Sequence, residues 1–345
     1  MEEDLASVTA SELPWSRLSG KSVLITGASG FLPAYLVESL LYQNEKKISE
    51  PTQVIGLVRN AEKARLRFAH YEGRKDLQLI VQDVEVPITD LSRVDVIIHA
   101  ASHASPKYYG IDPVGTLSAN VIGTQNLLSL ALKCGAERFL FFSSGEVYGQ
   151  VGDNQIPTRE NDYGRVDPIQ VRSCYAESKR MGENMCVSWA HQYGVPSVVV
   201  RPFHTYGPGM TLNDGRVYAD FVSDILADRD IVMKSDGHAR RAFCYLADAT
   251  SGFFTALFAG KVGEAYNVGN MQAESSILEL AQRLIALFPE KQLKVVLQSE
   301  RHAEADYLQS MISRNCPDIT KIGLIGWQPV TTIEEGFSRT VASFL

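Results

Sequence analysis

The chain has 345 residues, 45% hydrophobic and 21% charged, which suits a globular protein with one large domain or two unequal ones. A formal net charge of −7 without a basic stripe excludes a nucleic-acid footprint, and no apolar run reaches the ~18 residues that suggest a membrane span. Five scattered cysteines (Cys134, Cys174, Cys186, Cys244, Cys316), odd in number and without C-x-x-C spacing, point to reduced thiols in a cytoplasmic protein rather than a disulfide frame or zinc site.

Residues 1–20 are acidic and lack the apolar core of a secretory signal. Val23–Thr26 predicts a first strand, followed by a glycine-bearing turn and a helix from Phe31 to Tyr42. Further strands are predicted at Thr52–Arg59, Leu77–Asp83 and Val94–Ser102. A long helix ends near Gly135, and Arg138–Ser144 forms a fifth strand. A helix over about 174–192 precedes a sixth strand, Pro196–Pro202. Alternating helices and nearly continuous Val/Ile/Leu strands predict an α/β fold, a Rossmann-type doubly wound parallel sheet. After Gly207 the order loosens, and helices around 276–288 and 333–344 predict a smaller C-terminal substrate-binding lobe. The expected division is 21–203 for the dinucleotide-binding domain, with 1–20 as an extension, and 204–345 mainly for the lobe, some of whose segments return to the first domain.

Gly27, Ser29, Gly30, Phe31 and Leu32 lie between the first strand and first helix, where glycines let the backbone approach a pyrophosphate at a helix N-terminus. Pro33 falls in the first helical turn, where its missing N–H costs little. The second strand ends in Arg59-Asn60 instead of the acid expected for an NAD ribose, so a 2′-phosphate, hence NADP, or a solvated arginine both fit. Asp83-Val84 closes the third strand, where a carboxylate suits an adenine amino group. Ala100, Ala101 and Ser102 leave room for a dinucleotide, and His99 reads as a packed strand-end residue. Ser143 and Ser144 end the fifth strand at the expected ligand crevice. Tyr175 and Lys179 stand one helical turn apart, either as a plain pair or as a phenol whose pKa a cation lowers. With Ser144 they form a constellation for proton transfer coupled to hydride transfer: Lys179 on the cofactor ribose, Tyr175 as base, Ser144 on the same oxygen.

The stretches "ASHASPKYY", "SANVIGTQNLL", "SSGEVYG", "RSCYAESKRMGE", "TYGPGMTLNDGRV", "RRAFCYLAD", "YNVGN" and "GWQPVTTIEEG" together resemble the extended short-chain dehydrogenase/reductases that modify nucleotide sugars, and within them the UDP-glucuronate decarboxylases. The resemblance covers roughly residues 21–344. It implies catalytic roles for Ser144, Glu146, Tyr175, Lys179 and Arg241. It implies dinucleotide contacts from Asn120, Ser143, Tyr175, Lys179, Pro202 and His204 beside those named above. Substrate contacts would come from Ser105, Glu146, Arg172, His204, Arg216, Arg241, Tyr245 and Arg314. It further implies tightly bound NAD or NADP, a nucleotide-diphosphate sugar substrate and a homodimer through a four-helix interface of helices near 114–134 and 174–192. The expected reaction is oxidation at sugar C4, loss of CO₂ from the resulting β-keto acid and return of the hydride. A 4-epimerase, 4,6-dehydratase or 4-dehydrogenase would use the same oxidation, and a non-catalytic dinucleotide-binding regulator would keep only the fold.

Four positions depart from the decarboxylase pattern. Ser144-Gly145-Glu146 stands for threonine-serine-glutamate, and Gly145 lacks the acid with which a 4,6-dehydratase expels water. His204 replaces an asparagine and Gly209 an arginine, both near the expected sugar or diphosphate.

Overall fold

Seven parallel strands form the main sheet of the computed structural model, which describes residues 1–46, 50–233, 235–297 and 312–345. In chain order they are β1 (Ser22–Thr26), β2 (Gln53–Val58), β3 (Leu77–Val81), β4 (Val96–His99), β5 (Arg138–Phe142), β6 (Ser197–Pro202) and β7 (Ala265–Val268). Their spatial order is β7-β6-β5-β4-β1-β2-β3. The order reverses between β1 and β4, which opens the crevice for a ligand at the carboxyl ends of those strands. Apolar runs such as Val23–Ile25 and Ile97–Ile98 are fully buried because helices cover both faces.

β1 and β6 end where expected, while β2, β3, β4 and β5 stop short of their expected carboxyl ends. The Thr26 hydroxyl accepts hydrogen bonds from the backbone N–H of Ala100 and Ala101, each at 3.1 Å, which draws residues 100–102 out of the ladder after His99. The strand β7 was not predicted as part of the sheet; four residues carry too little pattern to separate it from a loop.

On the chain's N-terminal side, α1 (Glu2–Ala10) precedes β1. It is followed by α2 (Phe31–Glu45), α3 (Ala61–Arg67), α4 (Pro106–Ile111), α5 (Pro113–Cys134) and α6 (Cys174–Tyr193). Helix α5 starts on Asp112, whose carboxylate accepts from the Gly115 N–H, and stops at Gly135 in the left-handed conformation. Helix α6 packs tightly on β5, because a Cβ on Gly182 would lie 2.3 Å from Phe141 Cζ. That contact sets how far Tyr175 and Lys179 stand from the end of β5. Later helices include Ile277–Ala286 and Ile333–Ala342, and a small sheet joins Glu274–Ser276, Arg240–Ala242 and Arg314–Asn315.

Candidate active site

The turn after β1 is built for a close approach. Gly27 has φ +67°, and a Cβ there would sit 2.9 Å from Ala101 Cα. Gly30 caps α2 without a side chain, so the leading N–H groups of α2 receive no cap acceptor. A cavity of about 330 Å³ lies beside this turn, lined by Ser29, Gly30, Phe31, Lys63, Leu66, Arg67, Gly209 and Thr211. Helix start and the cations Lys63 and Arg67 together suit a diphosphate. Nearby, Ser102 Oγ, Asn120 Oδ1 and His204 Nδ1 are buried without a partner, which fits polar atoms reserved for a ligand. The residues thus fit a dinucleotide.

Other expected cofactor contacts have protein partners already. Asn60 Oδ1 accepts from the Lys63 N–H at 2.8 Å and caps α3, so it serves the helix rather than a ribose. Arg59 is largely exposed and lies 4.0 Å from Asp83. Val84 is buried and would touch any side chain at Gly123. Asn120 Nδ2 donates to Ser178 Oγ at 2.9 Å, which ties α5 to α6. Pro202 ends β6, two residues before His204. His204 is held neutral: burial and the charges of Arg241 and Arg216 keep its pKa well below the ordinary value. His99 Nδ1 lies 2.9 Å from Thr26 Oγ1. Since that hydroxyl already accepts from Ala100 and Ala101, its proton goes to His99 Nδ1, and burial holds the imidazole neutral. His99 is a packed strand end, as expected.

Ser144, Tyr175 and Lys179 converge at the end of β5. The Ser144 hydroxyl lies close enough to the Tyr175 phenol to favour its ionised form, and Tyr175 stacks on Tyr109 with centroids 4.9 Å apart and planes at 16°. Lys179 Nζ donates to the Phe142 carbonyl at 2.7 Å and sits 5.7 Å from the Tyr175 ring centre. Burial pushes the Tyr175 phenol up to about 12, opposed by Ser144 and Arg216. Burial likewise pushes Lys179 down to about 7, opposed by Glu183 and Cys186. The expectation that Lys179 lowers the tyrosine pKa is therefore corrected for the protein alone. One donor of the ammonium goes to Phe142, and the cation acting on Tyr175 is Arg216.

Around this centre, Arg172 Nη1 lies 3.1 Å from Glu146 Oε2, and its guanidinium is 5.9 Å from the Tyr109 ring centre. Arg216 bonds Asp214 at 2.8 Å and the Ala104 carbonyl at 3.0 Å, and Ser105 Oγ donates to the Asp214 carbonyl. Three expected substrate residues already hold protein partners, although the charge of Arg241 reaches His204. Arg241 donates to the carbonyls of Arg240, Ile312 and Ser313. Arg314 forms a two-armed bridge to Glu274 at 2.6 and 2.8 Å. Tyr245 is in the core, with its hydroxyl donating to Asp4 of α1 at 2.9 Å. An aromatic next to a motif gave no sign of that distant acid.

Sequence reasoning missed Tyr109, Glu183 and Arg201. Glu183 lies one turn after Lys179, and Arg201 interrupts the apolar run of β6; a charge inside a buried strand was the available signal.

The NAD dependent epimerase/dehydratase family model matches residues 23–269. The chain belongs to that family. It is 37% identical over 326 residues to UDP-glucuronic acid decarboxylase 1 of Xenopus tropicalis, covering 94% of this chain and 72% of that protein. It is 35% identical over 323 residues to UDP-glucuronic acid decarboxylase 6 of Arabidopsis thaliana, covering 92% and 87%. In fold it is similar to the UDP-glucose 4-epimerase of Thermotoga maritima, solved with UDP-glucose, at TM-score 0.78 and 24% identity over 94% of this chain and 98% of that one. The expected Rossmann-type fold and the assignment to extended sugar-nucleotide dehydrogenase/reductases therefore stand.

Proposed function

We propose that this chain is a nucleotide-sugar decarboxylase acting on UDP-glucuronate through a 4-keto intermediate. The observation that carries the reading is the Ser144–Tyr175–Lys179 centre with the Glu146–Arg172 pair beside it. The names of the curated relatives support it. Bound NAD or NADP supplies the hydride acceptor and later the donor at sugar C4. Tyr175 takes the proton of the C4 hydroxyl, and Ser144 holds that oxygen. Lys179 holds the ribose of the cofactor. Arg172, paired with Glu146 and lying by the Tyr109 ring that stacks on Tyr175, holds the uronate carboxylate against the site. Once C4 is a ketone, the C5–C6 bond breaks, its electron pair passes to the C4 oxygen, and CO₂ leaves. Ser144 and Tyr175 steady that oxygen, and Glu146 governs the proton that returns to C5. Hydride return to C4 and a proton from Tyr175 complete a redox-neutral cycle.

Gly145 speaks against dehydration: it carries no acid, and a Cβ there would press on the Phe203 ring at 3.0 Å. The outer faces of α5 and α6 carry Leu117, Ile122, Met181 and Val187 exposed, which supports pairing with a second copy through four helices. Among the described residues no helix is long and apolar enough to cross a membrane. We assign the enzyme to the cytoplasm on its free cysteines.

Incubating the purified chain with a panel of nucleotide sugars and weighing the products tests the function. Loss of CO₂ from UDP-glucuronate supports it. Loss of water, an unchanged mass with inverted C4, or no turnover of any sugar overturns it.

A further inference from the structure

Behind the catalytic centre lies an ionic network that the proposed chemistry does not use. Arg201 of β6 donates from Nε and Nη2 to Glu183 of α6 at 2.8 and 2.6 Å, a two-armed bridge with little exposure. Ser143, the residue before Ser144, donates its hydroxyl to the same carboxylate. Arg201 Nη1 continues to the Tyr148 hydroxyl at 2.8 Å and the Glu160 carbonyl at 2.8 Å. Tyr148 in turn donates to Asn267 Oδ1 of β7 at 2.6 Å. The network joins β6, β7, α6 and the turn that carries Glu146, all at the ligand end of the sheet.

The geometry points to Glu183 as a positioning residue: it fixes Ser144 through Ser143, and its charge, metered by Arg201, keeps the neighbouring Lys179 an ammonium able to hold the cofactor ribose. The inference rests on the proposed role of Lys179. Groups from α6, β5, β4 and β6 surround Lys179. On α6 the neighbours are Tyr175, Glu183 and Cys186, and burial raises the last well above the ordinary thiol range. From β5 come the Phe142 carbonyl and the Phe141 ring, and from β4 comes His99, held neutral. Arg201 of β6 reaches this region through Glu183. Glu183 is thus the one carboxylate among these described groups. Lys179 sits near the midpoint of its titration at neutral pH, so a nearby charge decides its state. Paired two-armed with Arg201, the carboxylate is held in place and only partly neutralised.

The test is rebinding of NAD and NADP by calorimetry across pH, after the bound dinucleotide has been stripped, which needs no sugar. In wild type, affinity weakens as pH rises through the Lys179 titration. Glu183→Gln moves that limb to lower pH by about one unit or more, while thermal melting reports whether the fold survives. Glu183→Asp keeps the charge, draws it back by one methylene, and shifts the limb only part of the way. If the Gln variant fails to fold, the partial acid shift in the Asp variant carries the test. A wild-type limb that stays in place in every folded variant overturns the role of Glu183, even where affinity drops. No limb in wild type overturns the role of Lys179 instead, and so separates the two failures.

Discussion

Glu146 and Arg172 face each other at 3.1 Å on the edge of the catalytic centre, each about a quarter exposed. The pair holds a carboxylate and a guanidinium ready beside Tyr175, where an incoming uronate can exchange partners with Glu146. Arg172→Ala should lower turnover of a uronate by about 10- to 100-fold, the worth of a charge-assisted hydrogen bond of about 1.5–3 kcal/mol. Arg241→Ala should cost less, since its guanidinium serves backbone carbonyls. Steady-state kinetics of both variants checks the order. A greater loss at Arg241 would return the carboxylate contact to that residue.

Glu146→Gln should slow the steps after oxidation. Reduced dinucleotide should then build up on the enzyme when sugar is added, visible in the nicotinamide absorbance. An unchanged steady-state level would remove Glu146 from the proton relay.

Tyr175→Phe should fold and bind cofactor as wild type but lose at least about 10²-fold in turnover, the typical contribution of a general acid–base group. The phenol of the protein alone titrates near 12, so the pH profile of oxidation should rise with pH as the phenolate forms. The positive charge of an oxidised nicotinamide should bring that limb towards neutrality. A Phe variant with near wild-type turnover would remove Tyr175 from the chemistry.

The main strands could be read from sequence because β1, β4, β5 and β6 are buried on both faces and carry nearly continuous apolar runs. The Tyr175/Lys179 spacing was equally legible, since helix geometry alone puts them on one face. What stayed hidden depends on partners far along the chain. Helix α1 is anchored by Asp4, which accepts from Tyr35, Tyr245 and Arg339. The bonds of Arg241 to the carbonyls of Ile312 and Ser313 join residues 71 and 72 positions apart, which no motif around Arg241 shows. The end of β4 was overrun by the prediction because a single hydroxyl, Thr26, ends it.

Glu38 of α2 gives a stability prediction. It is fully buried, pairs with Arg67 at 3.1 Å and leaves Oε1 without a partner. Burial raises its pKa from 4.5 to about 7, opposed by Arg67. A raised carboxyl pKa means that the folded chain holds this proton more tightly than the unfolded one. Its contribution is present below about pH 4.5 and is lost as pH rises to about 7. Glu38→Gln has no such loss, so its melting temperature relative to wild type should climb through that window. A difference that stays flat with pH would show that Glu38 does not titrate there.

Extraction of the purified protein should release a stoichiometric dinucleotide, because a redox-neutral cycle regenerates it in place. Arg59 at the end of β2 favours NADP over NAD. NAD alone in the extract would show that Arg59 stays with Asp83 or solvent and reads no phosphate.

Decarboxylation is tested most directly with UDP-glucuronate labelled in its carboxyl carbon, followed by NMR without added reductant or oxidant. The label should appear as carbon dioxide and bicarbonate while a UDP-pentose accumulates, with no net change in dinucleotide redox state. Label retained in a UDP-hexuronate epimer, or untouched UDP-glucuronate beside rapid conversion of a neutral sugar nucleotide, would contradict it.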